Sequence, residues 1–227
     1  HWLYAFPFLL TMVMIMMSFY WYDRIPDKVP MHYNFFGEVT RWADKSFGTV
    51  LFLPLTQFFL VIIMFIVHIA MQKAKQQVSA KNPEESMQRN IIFRRRWSIF
   101  LFVTTVATTI LFTVIQANLI FNISETLILW LSLFISFGII IYAIILSITT
   151  GQGGSRLKIK TGKDQPVIDR DDDQYWKLGQ FYFNKNDPAI FLEKRFGIGW
   201  TVNWARPSAW IFLIGIILLA LLPFLFI

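Results

Sequence analysis

The chain has 227 residues, of which 56% are hydrophobic and only 15% are charged, and its mean hydropathy is +0.51. Soluble domains usually carry about 25% charged residues, so this composition excludes an ordinary water-soluble globule, a disordered tail and a coiled coil. The 21 basic and 14 acidic residues, which leave a net charge of +7, are gathered into a few blocks between long uncharged runs. The composition therefore indicates an integral membrane protein.

Five uncharged stretches are long enough to cross a bilayer as helices, since a transmembrane helix needs about 20 apolar residues. We predict an all-α, polytopic membrane bundle of about five helices with a small β-rich insertion. Polar side chains within these stretches, such as Gln57, Gln116 and Asn118, are expected to hydrogen-bond one helix to another. The five stretches cover residues 2–22, 49–71, 97–121, 126–149 and 208–227.

The charged segments between these stretches predict the orientation in the cell membrane. Segments 72–96 and 150–207 together carry 17 of the 21 basic residues, whereas segment 23–48 carries four basic and four acidic residues. Because Lys and Arg are enriched in short cytoplasmic loops, we place the N-terminus and both basic segments in the cytoplasm and loop 23–48 outside. The predicted domains are a four-helix transmembrane region at 1–149, a small cytoplasmic β-rich module at 150–207 and a fifth transmembrane helix at 208–227.

The charge and the residue composition also limit the partners and the chemistry. The basic residues lie beside predicted span ends, where anionic lipid headgroups attract them, so we expect membrane lipids and not nucleic acid as their partner. Cysteine is absent and there are three histidines, which argues against thiol chemistry and against a histidine-rich metal site. We expect no cofactor, no metal and no enzymatic activity, because His32 and His68 fall on opposite sides of the membrane.

The outer loop combines prolines, aromatic residues and polar residues in a distinct pattern. Pro30 favours an extended backbone, residues 31–35 alternate as in a short strand with one wet face, and Gly37 suits a tight turn after Asn34. His32 could act as a ligand, as a base or as a pH-sensitive contact. The favoured interpretation is a structural imidazole that hydrogen-bonds within the loop.

The loop pattern Ile25-Pro26-x-x-Val29-Pro30-x-His32-aromatic-Asn34-x-x-Gly37-x-x-x-x-Trp42 resembles a bacterial membrane domain of largely uncharacterised function. That family includes the immunity protein of the sporulation-delay killing system, which protects the producing cell from a secreted peptide toxin. A role in holding a transcriptional repressor at the membrane is also attributed to it. The family often has Pro-Asp where this chain has Val39-Thr40. The resemblance implies that the loop meets a protein or peptide partner, with candidate binding residues Pro30, His32, Asn34, Gly37 and Trp42.

Several local patterns lie in the predicted cytoplasmic segment. Two aromatic-rich runs at 175–183 and 189–194 flank an Asn/Asp/Pro turn, which predicts a β-hairpin. The glycines at 197 and 199 are expected to end the second run and to allow close approach of a neighbour. Residues 155–160 alternate as in a short strand, and the acidic run 169–173 is interpreted as solvated charge rather than as a divalent-ion site.

Residues 171–207 resemble a cytoplasmic module that often accompanies the outer-loop family. The resemblance implies no particular activity for this module. Its motif residues in this chain are Asn184, Asp187, Pro188, Arg195, Gly197, Gly199, Trp200, Asn203 and Arg206.

Together these features favour a non-enzymatic bacterial membrane protein that acts in immunity to a toxin (an antimicrobial peptide) or in envelope signalling. The alternative is an accessory subunit of a larger membrane complex, such as a transporter or a secretion assembly. The predicted spans contain no Asp, Glu, Lys or Arg, which disfavours an independent ion carrier. The sequence leaves the oligomeric state open.

Overall fold

The computed structural model describes residues 2–34, 36–76, 78, 82–157, 173–195 and 197–226. Within these residues, five helices are long and apolar enough to cross a membrane, with small strand pairs between them. The predicted helical membrane bundle with a small β insertion is therefore confirmed. The α-helices are α1 (Ala5–Tyr20), α2 (Phe47–Lys73), α3 (Pro83–Phe121), α4 (Glu125–Thr150) and α5 (Pro207–Leu221), and 3-10 turns lengthen the first span to Trp2–Tyr20 and the last to Pro207–Leu225.

Helix α3 is much longer than the predicted span 97–121, because it begins at Pro83. Proline suits the first helical position, where its missing N–H is not needed. Glu84 and Glu85 follow in the first turn, where negative charge complements the helix dipole. Arg89 then pairs with Glu85 one turn away. Most of the basic segment 72–96 is thus helical.

The described strands form three antiparallel two-stranded sheets. In the outer loop, β1 (Lys28–Tyr33) pairs with β2 (Val39–Asp44). Near the last helix, β3 (Trp176–Lys177) pairs with β4 (Phe181–Tyr182), and β5 (Phe191–Glu193) pairs with β6 (Trp200–Val202).

The predicted hairpin between 175–183 and 189–194 is wrong. The first run folds back on itself, because Leu178 and Gly179 adopt positive φ and turn the chain between β3 and β4. The second run pairs instead with β6.

The glycines 197 and 199 lie after the end of β5, as predicted, but they are needed for their backbone conformation. Gly197 and Gly199 have φ of +78° and +120°, which other residues rarely adopt. Apart from the chain neighbours, no described atom lies within 4 Å of the position that a Cβ would take at either glycine, so a side chain there would not be excluded by crowding. Residues 155–157 are not in a strand, while 158–160 and the acidic residues 169–172 lie outside the described residues.

The chain divides into two compact units. The first consists of His1–Phe65, Phe102–Ile140 and Ile217–Ile227, and the second of Ile66–Leu101 and Ile141–Ile216. The boundaries of both units fall inside helices. These units are therefore not the domains predicted from the sequence, and the predicted domain boundaries stay a prediction.

Buried polar side chains join the helices of the first unit. Gln57 Nε2 on α2 donates to Thr11 Oγ1 on α1 at 2.9 Å. Gln116 Nε2 on α3 donates to Ser18 Oγ on α1 and to the carbonyl of Val50 on α2, both at 3.0 Å. Polar side chains within a membrane-spanning bundle have little water to bind, so these glutamine amides hydrogen-bond to polar groups on neighbouring helices. The predicted helix-to-helix hydrogen bonds are confirmed for both glutamines, whereas Asn118 Oδ1 has no hydrogen-bond partner among the described residues.

Candidate functional site

The turn of the outer hairpin is organised by the side chain of Asn34. Its Oδ1 accepts hydrogen bonds from the backbone N–H groups of Phe36 and Glu38, both at 2.9 Å. Its Nδ2 donates to Glu38 Oε2 at 2.7 Å. Gly37 sits between them with φ of +85°, a conformation that favours glycine. The predicted tight turn after Asn34 is confirmed.

His32 is hydrogen-bonded across the hairpin to Thr40. His32 Nδ1 lies 2.6 Å from Thr40 Oγ1, and the same hydroxyl donates to the backbone carbonyl of His32 at 3.3 Å. These contacts support the structural interpretation of the imidazole. Thr40 is one of the two positions at which this chain differs from the Pro-Asp of the resembling family, and it supplies the hydrogen-bond partner of His32.

The base of the hairpin is fastened to the helices of the first unit. Lys45 Nζ donates to the backbone carbonyl of Ile25 at 2.7 Å and lies 4.8 Å from the centre of the Tyr22 ring. Ile25 and Val29 are buried against Val50 of α2. The hairpin is therefore a packed element and not a free loop.

A cavity of about 340 Å³ lies between the hairpin and helices α2, α3 and α4, within the first unit. Its volume is at the lower end of the range of about 300–1,000 Å³ that small-ligand sites usually occupy. Most lining residues are apolar. Gly37 lies close to the Leu129 side chain, since a Cβ built on Gly37 would be 3.5 Å from Leu129 Cδ2. The lining consists of Val29, Pro30, Met31, Tyr33, Asn34, Gly37, Thr49, Phe52, Leu53, Ile115, Gln116, Asn118, Leu119, Glu125, Ile128, Leu129 and Ser132.

Two residues of this lining carry amide oxygens without partners. Gln116 Oε1 and Asn118 Oδ1 are buried and have no hydrogen-bond partner among the described residues. Glu125 is the only charged residue in the described lining. Burial, and then the negative charge of Glu125, raise the pKa of the Tyr33 hydroxyl.

The structure brings the predicted binding residues of the outer loop into one hairpin but gives them different surroundings. Pro30, Asn34 and Gly37 line the cavity. His32 lines a neighbouring opening, together with Arg41. Trp42 pairs with Pro30 in the strand register and is 54% exposed.

A second polar cluster lies in the second unit and is centred on Asp187. Its Oδ2 accepts hydrogen bonds from Lys75 Nζ at 2.6 Å and from Tyr182 Oη at 3.0 Å, and its Oδ1 accepts from the N–H of Ala189 at 2.9 Å. Burial alone would raise the pKa of the Asp187 carboxyl, but these hydrogen bonds, led by that from Lys75, hold the pKa below its usual value. Asp187 is therefore ionised at neutral pH.

Asn203 and Arg206 complete this cluster. Asn203 Nδ2 donates to the backbone carbonyls of Asn184 and Asp187 at 2.8 and 3.1 Å, and its Oδ1 accepts from the N–H of Asn184 at 3.1 Å. Arg206 Nε donates to the Asp187 carbonyl at 2.7 Å. Hydrogen bonds thus connect four of the predicted motif residues, Asn184, Asp187, Asn203 and Arg206, around the turn that contains Pro188. Because the polar groups of this cluster pair with one another, we interpret it as a structural junction.

The remaining motif residues lie apart from this cluster. The backbone of Gly199 exchanges two hydrogen bonds with the side chain of Gln152, at 2.7 and 3.0 Å. The Trp200 ring packs on Phe93, with 5.1 Å between the ring centres. Arg195 forms an ion pair with Asp173. Gly197 lies in the turn between β5 and β6.

Arg94 has a role that the sequence did not indicate. Its Nη1 and Nη2 donate to the carbonyls of Gln72 and Ala74, at 2.7 and 2.6 Å, at the C-terminal end of α2. Asn90 Oδ1 accepts from Nε at 3.1 Å, and Glu193 Oε1 lies 3.8 Å from Nη2. The last carbonyl groups of a helix lack hydrogen-bond donors within that helix. Arg94, which lies on α3, donates the missing hydrogen bonds at the end of α2.

The sequence does not indicate where several residues of these sites lie. Gln116 and Asn118 are polar groups within a predicted span, but no pattern in the sequence places them beside the outer loop or Glu125. Lys75 is one of many basic residues in its segment. Among the described residues, no group of three or more His, Cys, Asp or Glu side chains is arranged to hold a metal ion.

Two segments of the chain match known families. Residues 9–58, which include most of α1, the outer hairpin and the beginning of α2, match a domain of unknown function (DUF1648). Residues 185–210, which include Asp187, Asn203 and Arg206, match a family of unknown function (DUF5808). No curated protein and no solved structure matches the chain.

Proposed function

We propose that the protein is a bacterial integral membrane protein that protects the cell against a membrane-active peptide, or signals its presence at the envelope, without catalysing a reaction. The observation that carries this proposal is the apolar cavity of about 340 Å³ beneath the outer hairpin. The hairpin is the element that resembles the family of the sporulation-delay immunity protein.

The position of the cavity supports a recognition role. Three of the predicted binding residues, Pro30, Asn34 and Gly37, line it, and all three lie in the segment 9–58 that matches the domain of unknown function. Apolar sites with a few polar groups are typical of ligand binding. The bonds of His32 and Thr40 to one another stabilise the hairpin, which favours binding over catalysis.

The orientation in the proposal places the hairpin outside the cell, where it would meet a secreted peptide. The positive charge of segments 72–96 and 150–207 supports this orientation. Segments 72–96 and 150–207, which contain Lys75 and Asp187, would then face the cytoplasm and would be available to transmit a signal.

The proposal is tested by deleting the gene in its host and challenging the cells with a panel of membrane-active peptides. We expect the deletion strain to be inhibited by at least one peptide at a several-fold lower concentration. The wild-type gene is expected to restore resistance, and so is Phe134→Trp, because Phe134 is 77% exposed and does not line the cavity. Leu129→Trp, which fills the cavity, is expected not to restore it.

Two outcomes would contradict the proposal. One is unchanged sensitivity of the deletion strain, together with unchanged expression of envelope-stress genes on peptide challenge. The other is recovery of the protein in a stable, stoichiometric complex with a transporter or secretion assembly whose activity it supports, because this favours the alternative accessory role.

A further inference from the structure

The amide orientation of Gln116 is defined by its hydrogen bonds. Its Nε2 has two hydrogens, and it donates to Ser18 Oγ and to the Val50 carbonyl at 3.0 Å each. Ser18 Oγ itself donates to the carbonyl of Met14, so it accepts from Gln116. The Gln116 side chain therefore presents Oε1 as an acceptor with no partner among the described residues.

A second unpartnered acceptor lies two residues further along the same helix. Asn118 Oδ1 is buried and is also without a hydrogen-bond partner within the described part of the chain. Buried polar atoms that lack partners cost free energy. Gln116 and Asn118 both line the cavity, so an occupant with hydrogen-bond donors would complement these two acceptors.

The charge of the lining indicates the sign of the occupant. Glu125 stands at the beginning of α4, and the described lining contains no Lys, Arg or His. A carboxylate without a basic neighbour in the lining attracts a cation and repels a phosphate or carboxylate group. The remaining surface is mostly aliphatic and aromatic, which suits an apolar body.

From these features we infer that the cavity binds an apolar peptide segment that carries a positive charge, with the charge placed at Glu125 and peptide N–H groups donating to Gln116 and Asn118. The inference rests on the proposed function and specifies its ligand. A peptide fits better than a lipid, because a peptide backbone offers a donor at nearly every residue. Lipid tails offer no donors, and phospholipid headgroups bring a phosphate close to Glu125.

The inference is tested with the full-length protein in phosphatidylcholine nanodiscs. The probes are three 12-residue peptides of leucine and alanine with acetylated N-termini and a C-terminal fluorophore, which differ at one position that holds lysine, norleucine or glutamate. We expect the lysine peptide to bind about tenfold more tightly than the norleucine peptide, as a difference of about 1.4 kcal/mol gives. The glutamate peptide is expected to bind most weakly.

Three variants separate the contributions. Glu125→Gln is expected to abolish the preference for lysine over norleucine, whereas Asp23→Asn is expected to preserve it. Asp23 is the matched control because it is an exposed carboxylate of the same unit outside the cavity lining. Asn118→Leu is expected to weaken the binding of all three peptides several-fold without lowering the thermal unfolding midpoint, because it replaces an unpartnered oxygen by an apolar group.

Several results would overturn the inference. These are equal losses in Glu125→Gln and Asp23→Asn, an unchanged lysine preference in Glu125→Gln, or unchanged affinity in a folded Asn118→Leu variant. Binding of short-chain phosphatidylethanolamine that depends on Glu125, without binding of the peptides, would identify a lipid as the occupant and reject the peptide. If the peptides do not bind but the deletion strain is sensitive, the inference is rejected and the proposed function stands. If the peptides bind but the deletion has no phenotype, only the proposed function is rejected.

Discussion

Lys75 and Asp187, which are 112 positions apart in the chain, form an ion pair with 2.6 Å between Nζ and Oδ2. The lysine side chain is 55% exposed, whereas the aspartate side chain is only 6% exposed. The aspartate also accepts hydrogen bonds from Tyr182 and Ala189. The pair therefore connects the residues after α2 to the turn before β5, within the second unit.

Replacing Asp187 by asparagine is expected to destabilise the second unit by about 1–3 kcal/mol, because a buried carboxylate with three hydrogen bonds is lost. The thermal unfolding midpoint, followed by tryptophan fluorescence in detergent, measures the effect. Asp44→Asn is the matched control, since Asp44 pairs with Lys28 at a highly exposed site. Exposed pairs contribute about 1 kcal/mol at most. Equal effects of the two variants would contradict the structural role of Asp187.

The stabilisation by Asp187 is expected to depend on pH in a defined direction. Because the folded-state pKa of Asp187 is lowered, its stabilisation is fully present above the unfolded-state pKa of about 4. It is lost as the pH falls through the folded-state pKa, where the carboxyl becomes protonated. The difference in unfolding midpoint between the wild type and Asp187→Asn should therefore be constant from pH 7 to 5 and shrink below pH 4. A difference that grows on acidification would contradict this assignment.

Arg94 is expected to matter much more than its neighbour Arg95. Arg94→Gln leaves the carbonyls of Gln72 and Ala74 without their donor, and we expect a loss of about 2–3 kcal/mol in the free energy of unfolding. Arg94→Lys should recover only part of it, because an ammonium lacks the planar fork that reaches both carbonyls. Arg95 is exposed, so Arg95→Gln should change stability by less than about 0.5 kcal/mol.

The measurement for this pair of arginines is the unfolding midpoint of purified single variants at neutral pH. If Arg95→Gln were as damaging as Arg94→Gln, the net charge of the segment and not the hydrogen bonds to α2 would be responsible.

Gly37 is expected to resist substitution because of its backbone and not because of crowding. Its φ is +85°, whereas a Cβ would meet Leu129 only at an ordinary contact distance of 3.5 Å. Gly37→Ala should therefore cost about 1–2 kcal/mol, and Gly37→Asn should cost less, since asparagine tolerates positive φ better. The rate of proteolytic cleavage within the hairpin reports the loss.

Gly138 provides the control for this prediction, since it lies in α4 and, apart from its chain neighbours and the backbone of its own helix, no described atom lies within 4 Å of the position that a Cβ would take there. Gly138→Ala should be neutral or slightly stabilising, because alanine favours a helix by about 0.5–1 kcal/mol. Rescue of Gly37→Ala by shortening Leu129 to alanine would show that crowding, and not φ, limits the position.

The proposed orientation is tested by cysteine labelling, since the chain has no cysteine of its own. Phe36 in the hairpin turn is 79% exposed, and Leu178 between β3 and β4 is 91% exposed. We expect Phe36→Cys to react with a membrane-impermeant maleimide in intact cells, and Leu178→Cys to react only after permeabilisation. The reverse pattern would invert the assignment of both surfaces.

Local patterns predicted the turn chemistry of the outer loop but not the pairing near the last helix. Asn34 and Gly37 form their turn through contacts within five residues, so their types suffice to indicate it. The partner of β5 depends on the competition between two nearby aromatic runs. That competition is decided by Gly179, which turns the first run back, and by the hydrogen bonds of Asn203 to residues far from it in sequence.

By itself, the sequence determined the five membrane helices and the turn of the outer hairpin. A helix satisfies its own backbone hydrogen bonds, and the bilayer requires only length and apolar side chains, so both properties can be read locally. Only the tertiary structure decided which of three adjacent arginines caps α2 and which polar residues line the cavity. Those properties depend on side chains that meet from distant parts of the chain: Arg94 with Gln72 and Ala74, and Gln116 and Asn118 in one lining with Tyr33 and Glu125.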